Sequence, residues 1–248
     1  MRASTPWLSI LLPIYNVEDY LTDCLDSIAR QYQPGIEIIA LDDCSTDKSA
    51  VYLRQWADSH SIPLKILYHT QNRGLSAARN TLLEEARGDY LWFIDSDDAL
   101  EQDAINQLRY IVERHQPDLV MCDFRVWREQ QRFKHVWRGE NHLHSFSGAE
   151  KTLLQDPLAL FEGIYRKGHL HIWSKISKRS LWGDDLRFPE GRVMEDMVVT
   201  PQLLLRVQRY FYMPEVWIAY RQRAGSILAS RNQKRIDDMA IACRGVLP

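Results

Sequence analysis

Asp89-Tyr90-Leu91-Trp92-Phe93-Ile94-Asp95-Ser96-Asp97-Asp98 joins an apolar run directly to a cluster of carboxylates. From Asp89 to Ile94 the side chains are almost uncharged and mostly aromatic or branched, which is the pattern of a buried strand, entered here through Gly88. The strand then runs into Asp95, Asp97 and Asp98, three carboxylates within four residues. Like charges so close destabilise each other's ionised forms unless something neutralises them. Mg²⁺ or Mn²⁺ would do so, because these ions take hard oxygen ligands, use few protein carboxylates and leave positions for substrate phosphates. In isolation, a helix cap explains the residues equally well, with Ser96, Asp97 or Asp98 capping a helix from about Glu101.

The chain on the N-terminal side supplies the context. Trp7 to Ile14 is an apolar run, read as a first buried strand ending in Pro13-Ile14-Tyr15-Asn16. Apolar residues from Val17 to Tyr32 fall at helical spacing, with Asn16 as the expected N-cap. Ile36 to Leu41 reads as a second strand, ending in Asp42-Asp43-Cys44-Ser45. A helix over 48–60, a strand over 64–68 and a helix over 75–86 lead to the opening stretch. A helix over 101–115 and a strand over 118–123 follow it. This alternation predicts an α/β fold: a Rossmann-like, mostly parallel sheet with right-handed crossovers and helices on both faces. Ligands of such sheets bind at the carboxyl ends of the strands, where these polar clusters converge. A row of helix caps would explain one residue per helix, but not paired carboxylates at two strand ends. No G-x-G-x-x-G follows the first strand and no G-x-x-x-x-G-K-[ST] occurs, which argues against a dehydrogenase and a P-loop enzyme.

Composition narrows the class. The 248 residues are 45% hydrophobic and 26% charged, enough for one large α/β domain. A formal net charge of −2 gives no support for nucleic acid as a partner. Cys24, Cys44, Cys122 and Cys243 form no C-x-x-C pair, so zinc and redox motifs are not expected and a reducing, cytoplasmic setting is the default. Met1 to Pro6 lacks a signal-peptide pattern, and no apolar run reaches transmembrane length.

After Phe124 the alternation fades. Trp127 to His144 is basic and aromatic, fitting a solubilising edge hairpin, or a surface for an acceptor or an anionic membrane. His115, His135, His142 and His144 show no ligand spacing and are assigned no metal role. Short helices are expected over 147–154 and 157–165, and a short strand or turn over 171–176. A loop over 189–196 leads into a helix over 197–207, followed by a strand over 216–220. Asn232 to Arg244 reads as a C-terminal helix whose apolar face and abrupt end suggest that further chain follows, or that it docks on a membrane or partner. One domain is expected, with an alternating half over 7–123, a less regular half over 124–226 and a terminal helix over 227–248.

Taken in order, several blocks resemble family 2 glycosyltransferases of the GT-A fold. They are Leu8 to Asn16, Leu41 to Asp47, Asn72-Arg73-Gly74-Leu75-Ser76-Ala77-Ala78-Arg79-Asn80, Gly88 to Asp98, Trp173-Ser174-Lys175 and Met194-Glu195-Asp196. The resemblance implies inverting transfer of a hexosyl or N-acetylhexosaminyl group from a nucleoside diphosphate sugar, with a UDP-sugar as the expected donor. The acceptor would be a saccharide or lipid-linked saccharide, in polysaccharide or glycoconjugate synthesis. The location implied is cytoplasmic, with peripheral association at the inner face of the plasma membrane. Pro13 and Tyr15, with Asn16 beside them, would line the base pocket, and Asp43 would accept a base N–H. Arg79 would help hold the nucleotide, Asp95 would face the ribose and the metal, and Asp97 would bind Mn²⁺ or Mg²⁺. Asp196 would be the general base, with the adjacent Glu195 as its rival. Arg221 and Arg223 resemble late basic residues that close over the diphosphate.

The chemistry fits independently, since a diphosphate leaving group calls for cations and an attacking hydroxyl calls for a carboxylate base. Cys44 departs from the family's D-D-G-S, so that turn must avoid positive φ or carry strain. A sugar-phosphate nucleotidyltransferase would show a Gly-rich basic loop after the first strand. A haloacid-dehalogenase-type phosphatase would carry its aspartates on its first strand, not its fourth. A catalytically inactive nucleotide-sugar-binding protein is the non-enzyme alternative, and the joint presence of Asp97 and Asp196 speaks against it.

Overall fold

The first strand shows how the sheet is built. In β1 (Leu8–Ile14), Leu8, Ile10, Leu12 and Ile14 enter one apolar layer while Leu11 enters the layer on the opposite face. All seven residues are buried, which is expected of a parallel strand covered on both faces. The structure, a computed structural model, describes residues 5–128, 130, 135 and 137–222. The stretch over 131–134, Arg223 and the expected terminal helix lie outside the described residues.

Among the described residues, β1 is joined by β2 (Ile36–Asp42), β3 (Leu64–Tyr68), β4 (Tyr90–Phe93), β5 (Ala99–Leu100), β6 (Leu119–Trp127), β7 (Leu153–Leu154), β8 (Lys175–Lys178) and β9 (Tyr210–Arg221). The order is β3-β2-β1-β4-β8-β6-β9-β5, with β7 paired to β9. Strands β1 to β4 are mutually parallel, as the alternation predicts. Strand β8 is antiparallel and sits between β4 and β6. β4 and β6 are therefore parallel but not adjacent. The gap is filled from far along the chain by Lys-Ile-Ser-Lys, a segment too short and polar to announce a central strand.

Helices α1 (Leu21–Ala29), α2 (Ser49–Ser59) and α4 (Ala104–His115) cover one face through Leu25, Ile28, Leu53, Trp56, Ile105 and Leu108. Helices α3 (Leu75–Glu85) and α6 (Glu195–Leu204) cover the other through Leu82, Leu83, Val199 and Leu203. Helix α5 (Pro157–Lys167) packs Leu160 and Ile164 against Leu119 and Met121 of β6. Gly88 is required by close approach, since a Cβ there would lie 2.5 Å from the Ser9 backbone nitrogen.

Several local expectations are corrected. Asn16 caps no helix: it sits at φ 50°, α1 starts only at Leu21, and Asn16 Oδ1 accepts the Thr46 N–H at 2.9 Å. None of Ser96, Asp97 and Asp98 caps α4, whose N-cap is Asp103. Ser96 instead donates its hydroxyl to the Pro13 carbonyl at 2.8 Å. The stretch over 147–154 is not helical, and its end forms β7 against β9. Helix α6 begins at Glu195 rather than Met197, after Met194 at φ 63°. Cys44 takes the strained option, at φ 60°.

Candidate active site

The carboxyl ends of β1, β2 and β4 lie along one edge. Pro13 is buried within β1, and Tyr15 just beyond it is 45% exposed, a large ring open to solvent at this edge. Asn16 binds the loop over 45–47, which leaves its side-chain oxygen engaged in loop structure. Asp43 is buried and already well satisfied. His69 Nδ1 lies 2.6 Å from Oδ1, and the Arg73 N–H reaches the same oxygen at 2.9 Å. Asn72 Nδ2 and the Gly74 N–H donate to Oδ2 at 3.0 and 2.7 Å. Gly74 carries φ 86° at the start of α3, so Asp43 organises the turn that launches this helix.

A base N–H would have to share or displace one of these donors. Asp43→Ala is therefore expected to cost stability, by about 1–3 kcal/mol for the stranded donors. Urea denaturation would read this as a lower midpoint with an unchanged slope, and an unchanged midpoint would contradict it.

Beyond β4, Asp95 and Asp97 are half-buried and Asp98 is fully buried. Asp98 Oδ1 accepts the Arg221 N–H at 2.7 Å, while its buried Oδ2 has no hydrogen-bond partner. Burial pushes the Asp98 carboxyl well above the usual carboxylate range, and the charges of Asp97 and Asp95 add to the effect. An all-oxygen donor set with an unsatisfied buried carboxylate oxygen fits a hard divalent cation. No set of three such oxygens converges among the described residues, which suits an ion held by one or two carboxylates and completed by substrate phosphates. Arg221 is fixed from several sides. Its Nε donates to the Asp97 carbonyl at 2.8 Å, an amino nitrogen reaches Asp23 at 2.8 Å, and the guanidinium lies 3.6 Å from the Trp127 ring centroid.

Arg79 is the centre of the site. It is 1% exposed and its terminal nitrogens meet three carboxylates: Asp95 at 2.8 Å, Glu195 at 2.6 Å and Asp196 at 3.1 Å. Its contacts are therefore deep in the site, and a surface ion pair is excluded. Asp196 Oδ2 also accepts the Ile172 N–H at 3.3 Å. Burial is the largest influence on Asp196 and raises its pKa, Arg79 opposes the rise and Glu195 adds to it, leaving the group pushed up to about 7. The left-handed Met194 precedes a helix that starts two residues earlier than expected, so that Glu195 and Asp196 both lie in its first turn.

Lys175, buried at the start of β8, donates to the His169 and His171 carbonyls at 2.7 and 2.9 Å and to Ser174 Oγ at 3.0 Å. It thereby fixes the turn whose Ile172 N–H meets Asp196. Burial lowers the Lys175 pKa to about 8. In the sequence Lys175 stands out only within a motif block and Glu195 only as the rival of Asp196 for the base, and the contacts of neither are visible there. A lysine closing an apolar turn before a short strand is the signal that was available.

The sequence profile of glycosyl transferase family 2 matches residues 9–163. The chain belongs to this family. This family 2 glycosyltransferase is 32% identical over 227 residues to "Glycosyltransferase GlyA" of Streptococcus pneumoniae, a match covering 89% of the chain and 31% of GlyA. It is 30% identical over 247 residues to "Putative glycosyltransferase EpsH" of Bacillus subtilis, covering 96% of the chain and 67% of EpsH. The chain thus spans less than a third of GlyA's length. Among solved structures, S. aureus TarS 1-349 in complex with UDP-GlcNAc superposes with a TM-score of 0.78 at 24% identity, covering 97% of this chain and 66% of that one. The mannosyltransferase PcManGT of Pyrobaculum calidifontis, in complex with GDP-Man and Mn²⁺, gives a TM-score of 0.66 at 20% identity, covering 98% of this chain and 65% of that one. These likenesses establish the GT-A fold. No described helix is long and apolar enough to cross a membrane.

Proposed function

We propose that the chain transfers a sugar, with inversion, from a UDP-sugar to a hydroxyl of a saccharide or lipid-linked saccharide acceptor during polysaccharide or glycoconjugate synthesis. The observation that carries this reading is the Arg79 clamp. One buried guanidinium bonds the carboxylate after β4 and the carboxylates opening α6, groups about a hundred residues apart in sequence. A strand-end acid and a base-like acid are thereby held at one place.

In the proposed reaction, ionised Asp196 removes the proton of the acceptor hydroxyl as its oxygen bonds to the anomeric carbon. The bond from that carbon to the diphosphate oxygen breaks, and the diphosphate leaves with the electron pair. A pKa near 7 suits a base working near neutrality. Arg79 orients Asp196, and Lys175 holds the turn that supplies its second hydrogen bond. Mn²⁺ or Mg²⁺, held by Asp97 with Asp95 nearby, would neutralise the diphosphate charge. Tyr15 would stack on the base above Pro13, beside the loop that Asn16 and Asp43 organise. TarS binding of UDP-GlcNAc supports the choice of a UDP-sugar, and the Mn²⁺ in PcManGT supports the cation.

A thermal-shift panel of nucleotide sugars with Mn²⁺ tests the donor. UDP-sugars are expected to raise Tm with concentration, because a ligand bound only to the folded state stabilises it by mass action. Stabilisation by GDP-sugars alone would overturn the choice of base, and stabilisation by none would overturn the donor class.

A further inference from the structure

His142 and His144 flank Leu143, which pairs with Phe124 in an antiparallel bridge. Alternation along such a segment sends residues 142 and 144 to one face and Leu143 to the other. Leu143 joins Phe124 in the apolar core, so both imidazoles fall on the face of Asp123, the residue before Phe124. His142 Nε2 and His144 Nδ1 lie 2.8 and 2.7 Å from the same oxygen, Asp123 Oδ2. The expectation that these histidines lack ligand spacing is therefore corrected: H-x-H on a strand-like segment is a ligand spacing, and the carboxylate comes from the neighbouring strand.

We propose that Asp123, His142 and His144 form a second metal site, one that selects a zinc-type transition ion and is separate from the oxygen-only edge at Asp95 and Asp97. The three donor atoms lie within 4.8 Å of one another. Ligands on a tetrahedral zinc at the usual bond lengths stand about 3.3 Å apart, so the present contacts need to open by only about half an ångström. Two imidazoles and a carboxylate favour Zn²⁺ and its neighbours over Mg²⁺.

The carboxylate is held as a ligating one would be. Its Oδ1 accepts the Tyr212 hydroxyl and the Ser145 N–H, each at 2.8 Å, and Asp123 is wholly buried. The β6–β9 register shifts on both sides of Asp123, an irregularity of the kind that re-aims a side chain. Both histidine side chains are nearly half exposed, at 42% and 47%, so they can rotate outward by the small amount required and leave positions for water. The site would pin the segment returning over 138–144 to β6, two strands along the same sheet edge from β4. It does not rest on the proposed sugar transfer.

Zn²⁺ titration of chelator-stripped protein, in competition with a chromophoric chelator, tests this, with Co²⁺ spectra as a direct view of nitrogen ligation. The wild-type chain is expected to take up one Zn²⁺ at least ten times more tightly than His142→Gln/His144→Gln. That variant keeps amide donors for Asp123 and so preserves the fold, which circular dichroism checks. Asp97→Asn is expected to bind Zn²⁺ as wild type does. Equal affinity in the wild type and the glutamine variant would overturn the site and leave the histidines as hydrogen-bond donors to Asp123. Loss of Zn²⁺ in Asp97→Asn alone would place the ion at the donor edge and overturn it equally.

Discussion

Asp196→Asn is expected to lower kcat by roughly 100-fold or more while leaving donor affinity nearly unchanged, the signature of a base that acts in the transition state. Asparagine keeps the shape and an oxygen for the Ile172 N–H, so the turn at Ile172 should survive. Burial holds the Asp196 carboxyl up to about 7, so the ionised, proton-accepting form gains population only as pH rises through that value. Wild-type kcat should therefore climb as pH passes about 7 and level off above it, and Asp196→Asn should lose that rise. Glu195→Gln should reduce the rate less, because Glu195 bonds Arg79 and acts through its placement. An active Asp196→Asn beside a dead Glu195→Gln would exchange the two roles, and activity in both would move the base elsewhere.

Asp97→Asn should abolish turnover and remove the cation dependence of donor binding, while thermal stability stays near wild type. Burial and the charges of Asp97 and Asp95 make Asp98 costly to ionise, so removing the Asp97 charge from the unliganded cluster relieves repulsion. The same charge is needed when a diphosphate and its cation bind. Donor titrations with and without EDTA separate these effects. Donor affinity and turnover that ignore both EDTA and Asp97→Asn would remove the metal from the account.

The half of the fold that alternates was legible because the continuous apolar runs of β1 and β2 and the 3.6-residue period of α1 and α4 are written locally in the chain. Strand β8 was not, because its place between β4 and β6 is set by burial of Lys175 and Ser177 among distant partners. Residues 147–154 misled for a related reason, since pairing with β9 overrides a weak helical pattern. At the site, residue types at a strand end marked Asp95 and Asp97, and the family resemblance marked Asp196. The contacts of Arg79 could not be read, because Asp95 and Asp196 meet only through the folded sheet. Asp43 shows the same limit: its carboxylate was legible, but its four donors come from a loop thirty residues away.

The most direct measurement is nucleoside diphosphate release from UDP-sugars by the purified chain with Mn²⁺ and an acceptor glycan pool, alongside Asp196→Asn and Asp97→Asn. The account predicts acceptor-dependent UDP release by the wild type, and release reduced at least 100-fold in both variants. UDP release that proceeds equally in all of these proteins, or a wild type that binds UDP-sugar yet releases none with any acceptor, would contradict it.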